Sequence, residues 1–137
     1  MGKYRTLTEQ NKYYVPKHTY LTCIHYALQY RDWQARLKAD RDTRGAIRYD
    51  KDRVQTSDDY DSTSEIAMRM VEIQAKCDLI DDCIGVACDG SNIDQWLRLG
   101  VCYGFTYYQL KDDGMPCGRN MYYDIRQRFY YELSRKI

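Results

Sequence analysis

The chain has 137 residues, 44% hydrophobic and 30% charged, with a formal net charge of +1 at pH 7. That length suits one domain with a modest core, and the near-neutral balance excludes a protein that coats nucleic acid by bulk charge. An anionic partner would have to be met by local asymmetry. No stretch reaches the apolar length of a membrane span, and the opening MGKYRTLTEQ has no apolar signal-peptide core. The expected compartment is therefore the cytoplasm, without membrane contact.

Residues 1 to about 15 are polar with scattered Tyr and read as extended or loosely ordered. Pro16 starts a helix over Lys17 to about Leu37, with an apolar stripe of Tyr20, Leu21, Ile24, Ala27, Leu28 and Leu37 and with Trp33 nearby. His25 lies off that stripe and reads as a surface residue. Ala39 to Asp61 alternates charges of both signs, has few apolar residues and contains Gly45. It reads as a long loop or linker, with a contact arm that orders on a partner as the lesser alternative. Asp58, Asp59 and Asp61 are a linear acidic run, which supplies too few convergent oxygens for a metal site.

Ser62 with Glu65 three residues on forms a capping box for the longest helix, which runs to about Cys88. Its stripe is Ile66, Met70, Ile73, Cys77, Ile80, Ile84 and Ala87, in alternating steps of four and three. That heptad seam needs a helical partner, either the first helix of the same chain or a second copy in a homodimer. Leu79 and Val86 widen the apolar face and favour a bundle. Asp89-Gly90 ends the helix, and Ser91 with Asp94 forms a second cap.

The stretch from Asn92 onward reads as three helices. Ile93, Trp96, Leu97 and Leu99 stripe the first, which Gly104 breaks. Thr106 to about Asp112 is a short second helix carrying Tyr107 and Leu110. Gly114 closes it, and Pro116 opens the last helix. In that last helix Met121, Ile125, Phe129 and Leu133 form the apolar face. Arg119, Asn120, Tyr123, Arg126, Gln127, Tyr130 and Arg135 lie opposite. From Met115 to Ile137 there are five cations (Arg119, Arg126, Arg128, Arg135, Lys136) against Asp124 and Glu132. A short helix, a tight turn and a basic helix with Arg, Asn and Gln near its start fit major-groove reading of double-stranded DNA. The fold expected is thus an all-α small bundle with one long helix and a C-terminal helix-turn-helix. Its parts are residues 1–61, 62–90 and 91–137, forming one compact unit.

The six cysteines (Cys23, Cys77, Cys83, Cys88, Cys102, Cys117) include no Cys-x-x-Cys pair, and His18 and His25 are distant in sequence. They read as small buried residues, with no metal, cofactor or disulfide. Cys117, at a helix start, is the one whose thiolate the helix dipole would favour. The fifteen tyrosines read mostly as rim-packed rings with wet hydroxyls. No Gly-rich phosphate loop, His-Glu-x-x-His or Gly-x-Ser-x-Gly motif occurs, so no enzyme is expected.

The segment GVCYGFTYYQLKDDGMPCGRNMYYDIRQRFYYELSRKI resembles the C-terminal end of phage-encoded transcriptional regulators of the RinA/ArpU-like kind. It is more distantly similar to the promoter-reading helix-turn-helix of sigma factors. The carriers are an aliphatic helix ending in Gly, Tyr107-x-x-Leu110, Pro116-Cys-x-Arg119 and an aromatic-rich run with repeated Arg. Upstream, YVPKHTYLTCIHYALQYRDW and YDKDRVQTS resemble the opening segments of such proteins. One departure is that sigma-type recognition helices open with Ser or Thr and a denser basic run, where this chain has Pro116-Cys117-Gly118. The resemblance implies a phage or prophage regulator whose N-terminal helices position the DNA-reading module or bind RNA polymerase. Arg119, Asn120, Tyr123, Arg126 and Gln127 would face the groove, with Arg128 and Arg135 toward phosphates. The alternatives are a helical interaction protein that dimerises through the seam of Ile66, Met70, Ile73, Cys77, Ile80 and Ile84, and a ring-forming phage packaging adaptor that binds DNA.

Overall fold

The apolar stripes bury themselves against one another as helices. The computed structural model describes residues 11–49 and 57–137, with side chains over 11–42 and 64–137. In chain order the helices are α1 (Lys17–Leu28), α2 (Tyr30–Tyr49), α3 (Ser57–Cys88), α4 (Asp94–Tyr103), α5 (Tyr107–Asp112) and α6 (Arg119–Ser134). No strand occurs among the described residues, and the fold is an all-α bundle. Its longest helix, α3, packs most extensively on α2 and α6, while α1 lies against α6 and α4.

Pro16, with φ −57°, presets the entry to α1. Gln29 separates α1 from α2 but keeps helical angles, and Trp33 N–H still reaches the Gln29 carbonyl at 2.9 Å. The pair is therefore one helix with a bend rather than two helices with a turn. Neither Pro nor Gly marks the bend. His25 is exposed, as its place off the stripe requires.

The linker expected over 39–61 is largely helical instead. Here α2 continues to Tyr49 and α3 begins at Ser57; residues 50–56 and the side chains of Asp58, Asp59 and Asp61 lie outside those described. Alternating charges misled because they are read as solvated, whereas one of them is an anchor. Asp40 on α2 is buried and takes a forked pair from Arg69 on α3, Nε to Oδ2 at 3.0 Å and Nη2 to Oδ1 at 2.7 Å. Arg36 adds a longer contact at 3.5 Å. A bidentate guanidinium–carboxylate pair fixes the register of two helices as apolar contact alone does not. Ser62, expected to cap α3, lies inside it.

The α3 seam is spent within the chain. Cys77, Ile80 and Ile84 are fully buried, Ile66 and Ala87 nearly so, and Met70 and Ile73 pack partly against the core. Within the chain its partners are α2 at one end and α4 and α6 at the other. Asp81 on the same helix gathers two neighbours. It accepts from Tyr30 Oη on α2 at 3.2 Å and from Arg98 Nη2 on α4 at 2.9 Å. Burial, then the Asp81 charge, pushes the Tyr30 phenol up to about 12.

Between α3 and α4 the chain reverses through three left-handed residues, Asp89, Gly90 and Asn92. Ile93 takes the position that begins α4, so the cap expected at Ser91 is not used. Ile93, Leu97, Val101 and Cys102 enter the core. Gly104, at φ 77°, ends the helix as its position predicts.

The buried face of α6 differs from the expected stripe. Met121 is exposed; Tyr122, Phe129, Tyr130 and Leu133 are buried, and Ile125 is only partly so. Tyr130, placed on the outer face by the sequence, packs edge-on against Tyr20 at 5.1 Å. All six thiols are buried and free, and burial pushes Cys23, Cys83 and Cys88 up to about 11. Cys117 follows them: burial raises it against the pull of Lys111, so the thiolate expected there is disfavoured.

Two outcomes test this packing. A Cβ at Gly100 on α4 would collide with the Tyr122 hydroxyl, held at 1% exposure on α6. Gly100→Ala should cost about 1–3 kcal/mol in denaturant titrations, despite better helix propensity. Adding Tyr122→Phe should restore most of that loss by removing the colliding oxygen. The second concerns Asp40, whose carboxyl is held below the usual range by its hydrogen bonds to Arg69, against the opposing effect of burial. A depressed pKa gives stability above the unfolded value of about 3.9 that is lost as pH falls through the lower folded value. Asp40→Asn should therefore melt at a lower temperature at pH 7, with the gap closing below about pH 4.

Candidate nucleic-acid interface

Thr106 sets up the C-terminal module. Its hydroxyl accepts from Gln109 N–H at 3.2 Å, and the Gln109 side chain accepts from Thr106 N–H at 2.8 Å, a reciprocal capping box that starts α5. Gly114 takes φ 98° and Met115 N–H reaches back to the Leu110 carbonyl at 3.1 Å, closing the helix. Met115 and Cys117 then point inward, at 2% and 5% exposure. Lys111 ties the turn together, donating from Nζ to the carbonyls of Met115 and Cys117 at 3.3 and 3.2 Å. Gly118 is the residue before α6, two positions later than the expected opening at Pro116. Pro116 shapes the turn rather than the helix.

The first turns of α6 carry a cluster of aromatic rings and guanidinium groups. Arg119 Nη1 donates to Tyr108 Oη at 3.4 Å, and its guanidinium lies 5.7 Å from the Tyr123 ring centroid. The Arg126 guanidinium lies 4.6 Å from the same ring. Tyr107 bridges Tyr108, Tyr122 and Tyr123 at 5.5, 5.9 and 6.2 Å. Each cation over a ring is worth roughly 0.5–1 kcal/mol when exposed, and the stacking fixes where the N–H groups aim. Arg126 also stands by buried phenols. Burial pushes Tyr122 up to about 12 and raises Tyr130 further, and Arg126 opposes both rises.

The seven residues expected to face DNA do not form one surface. Arg119 and Asn120 are exposed, with Tyr123 and Arg126 half-buried beside them. Gln127 is turned to another task, donating from Nε2 to the Tyr13 carbonyl at 2.8 Å. Arg128 leans toward Asp89 at 3.8 Å and over the Tyr13 ring at 5.8 Å. Arg135 lies just past the end of α6, over Tyr131 at 5.6 Å. With 16 residues in α6, it is roughly 24 Å along the axis from Arg119 at about 1.5 Å per residue. The sequence reading missed Tyr108 and Lys111 in α5, and Tyr13 in the segment before α1. The first two follow directly on the Thr106 cap, which places them on a helix facing the turn. Nothing local in the sequence pairs Tyr13 with Gln127.

No protein-family model, no curated protein and no solved structure matches this chain.

Gln127 provides a direct check on how the N-terminal segment is held. Gln127→Ala should leave the bundle folded at a cost of about 1 kcal/mol, that of one hydrogen bond. Limited trypsin digestion should then cut after Lys12 several-fold faster, while sites within α3 keep their rate.

Proposed function

We propose that the chain binds double-stranded DNA through α5, the Lys111-tied turn and the first turns of α6, as a transcriptional regulator of phage or prophage type. The observation that carries this reading is the pair Arg119 and Asn120, exposed at the start of a helix that a capped short helix and tight turn precede. Arg presents a rigid fork suited to guanine, and Asn one suited to adenine. No acid occupies the first turn of α6, so the helix dipole adds to the positive field there. Tyr123 and Arg126 extend the surface toward the sugar–phosphate backbone. Gln127 and Arg128 are left out of the contact set, because Tyr13 and Asp89 engage them. The resemblance to RinA/ArpU-like regulators, a cytoplasmic setting and an RNA polymerase contact belong to the same proposal.

A helical interaction protein is the second reading, and Met68 and Val71 favour it. They stand 64% and 70% exposed on α3, beside the buried seam.

The test is a fluorescence anisotropy titration with intergenic DNA and scrambled DNA of equal composition, at two salt concentrations. Binding should be salt-sensitive and prefer the intergenic sequence. Arg119→Ala and Asn120→Ala should each lose about 1–3 kcal/mol of preference for the correct base. Arg135→Ala should lower affinity slightly and equally on both probes. Absence of binding to either DNA by the folded protein would overturn the reading.

A further inference from the structure

A cavity of about 440 Å³ opens between the segment before α1 and the outer side of α6. It falls within the size range of small-ligand sites, roughly 300–1,000 Å³. Tyr13, Tyr20 and Tyr123 contribute rings, and Lys12 and Arg126 contribute cations. Each cation is already seated on a ring, Lys12 Nζ 5.5 Å from the Tyr13 centroid and Arg126 4.6 Å from that of Tyr123. Among the described residues neither is ion-paired; the acids Asp40, Asp81 and Asp89 serve other arginines. The Gln127 side chain pins the Tyr13 carbonyl at 2.8 Å, so the two walls hold their spacing before anything enters.

We propose that this cavity binds one nucleotide unit, a planar base carrying a phosphate. Rings stack on a base of any identity, because every base has a π-face. The Arg126 guanidinium, over the Tyr123 ring, offers an N–H fork to phosphate oxygens, and the Lys12 ammonium supplies a second charge. Asp124 also lines the cavity. Its carboxylate can accept from an exocyclic amine and disfavours ligands with several phosphates. The unit could come as a free nucleotide or as part of a single strand; the chemistry recognised is the same. The proposal shares Tyr123 and Arg126 with the duplex reading but also needs Lys12 and Tyr13, which take no part in that contact set.

Isothermal titration of the full chain tests it. The probes are the four ribonucleoside 5′-monophosphates, the matching nucleosides, inorganic phosphate and a short single-stranded oligonucleotide. The monophosphates or the oligonucleotide should bind saturably below about 1 mM. Nucleosides and phosphate alone should bind at least about tenfold more weakly, each lacking one half of the recognition. Lys12→Gln and Tyr13→Leu should each weaken binding about tenfold, while Lys38→Ala on α2, which lines no part of the cavity, leaves it unchanged. If the oligonucleotide displaces the monophosphate, the source is a strand; if the free nucleotide binds more tightly, it is a small effector. No saturable binding by any probe, inorganic phosphate binding as tightly as the monophosphates, or no effect of the Lys12 and Tyr13 changes would each overturn the proposal. Retained duplex binding in a Lys12→Gln protein that has lost nucleotide binding would separate the two readings.

Discussion

The packing of α6 between α3 and α1 governs what the rest of the molecule can offer. Phe129 and Leu133 are wholly buried and Tyr122 and Tyr130 nearly so, which commits the middle and end of the helix to the core. A helix that lies freely in a groove exposes one long face. This one exposes its first turns, and the chain is exposed again only at Arg135, Lys136 and Ile137 just past its end, roughly a helix length away. The close seat of Tyr122 against Gly100 is part of the same constraint, because it sets how near α4 approaches α6 and so where α5 and its turn must sit. The proposed surface is therefore local, built where the bundle leaves α6 uncovered.

Arginine and tyrosine together let a chain of net charge +1 concentrate positive charge at a local surface. Bulk charge is not needed where a few guanidinium groups are held in place. Arg119 and Arg126 share the Tyr123 ring, and Arg128 and Lys12 share that of Tyr13. Stacking removes part of the entropy that a free arginine would lose on binding. The cost is partition. Arg128 also leans on Asp89 and is drawn away from the surface, so the five cations of the C-terminal stretch do not act as one patch.

Much of the C-terminal architecture was legible because its signals are local. Thr106, Gly104 and Gly114 each mark a boundary through a cap or a left-handed angle that the residue itself dictates, though the Gln109 half of the Thr106 capping box was not read from the sequence. The face of α6 was less legible, for a geometric reason. A step of four residues advances about 400° at 3.6 residues per turn, so a strict four-residue series drifts by about 40° per step. From Leu133 back to Met121 the drift is about 120°, enough to carry Met121 into solvent and bring Tyr122 into its place. The outer half of α2 was missed for a different reason. Its sequence has no apolar stripe, and among the described residues it is tied to α3 by the forked contact of Asp40 with Arg69, a long-range pairing that periodicity cannot reveal. The same holds for Gln127 and Tyr13, whose contact spans most of the chain.

Arg126 stands where the two proposed surfaces meet. It stacks on Tyr123 beside Arg119, and it lines the cavity that Lys12 and Tyr13 close. A guanidinium committed to a phosphate in the cavity is less free to reach a duplex phosphate, and the reverse is equally true. Two ligands that draw on one group in exclusive geometries lower each other's affinity by the same factor, since linkage between binding free energies is reciprocal. The sign of that coupling follows from the shared arginine alone. Its size depends on how much of each binding energy Arg126 carries. With Lys12 on one side and Arg119 with Asn120 on the other, neither surface rests on Arg126 entirely, so the coupling is partial rather than all-or-none. On the two proposals together, a bundle that leaves one helix end uncovered and shares one side chain between the proposed duplex surface and the cavity beside it would make a DNA contact that responds to a nucleotide.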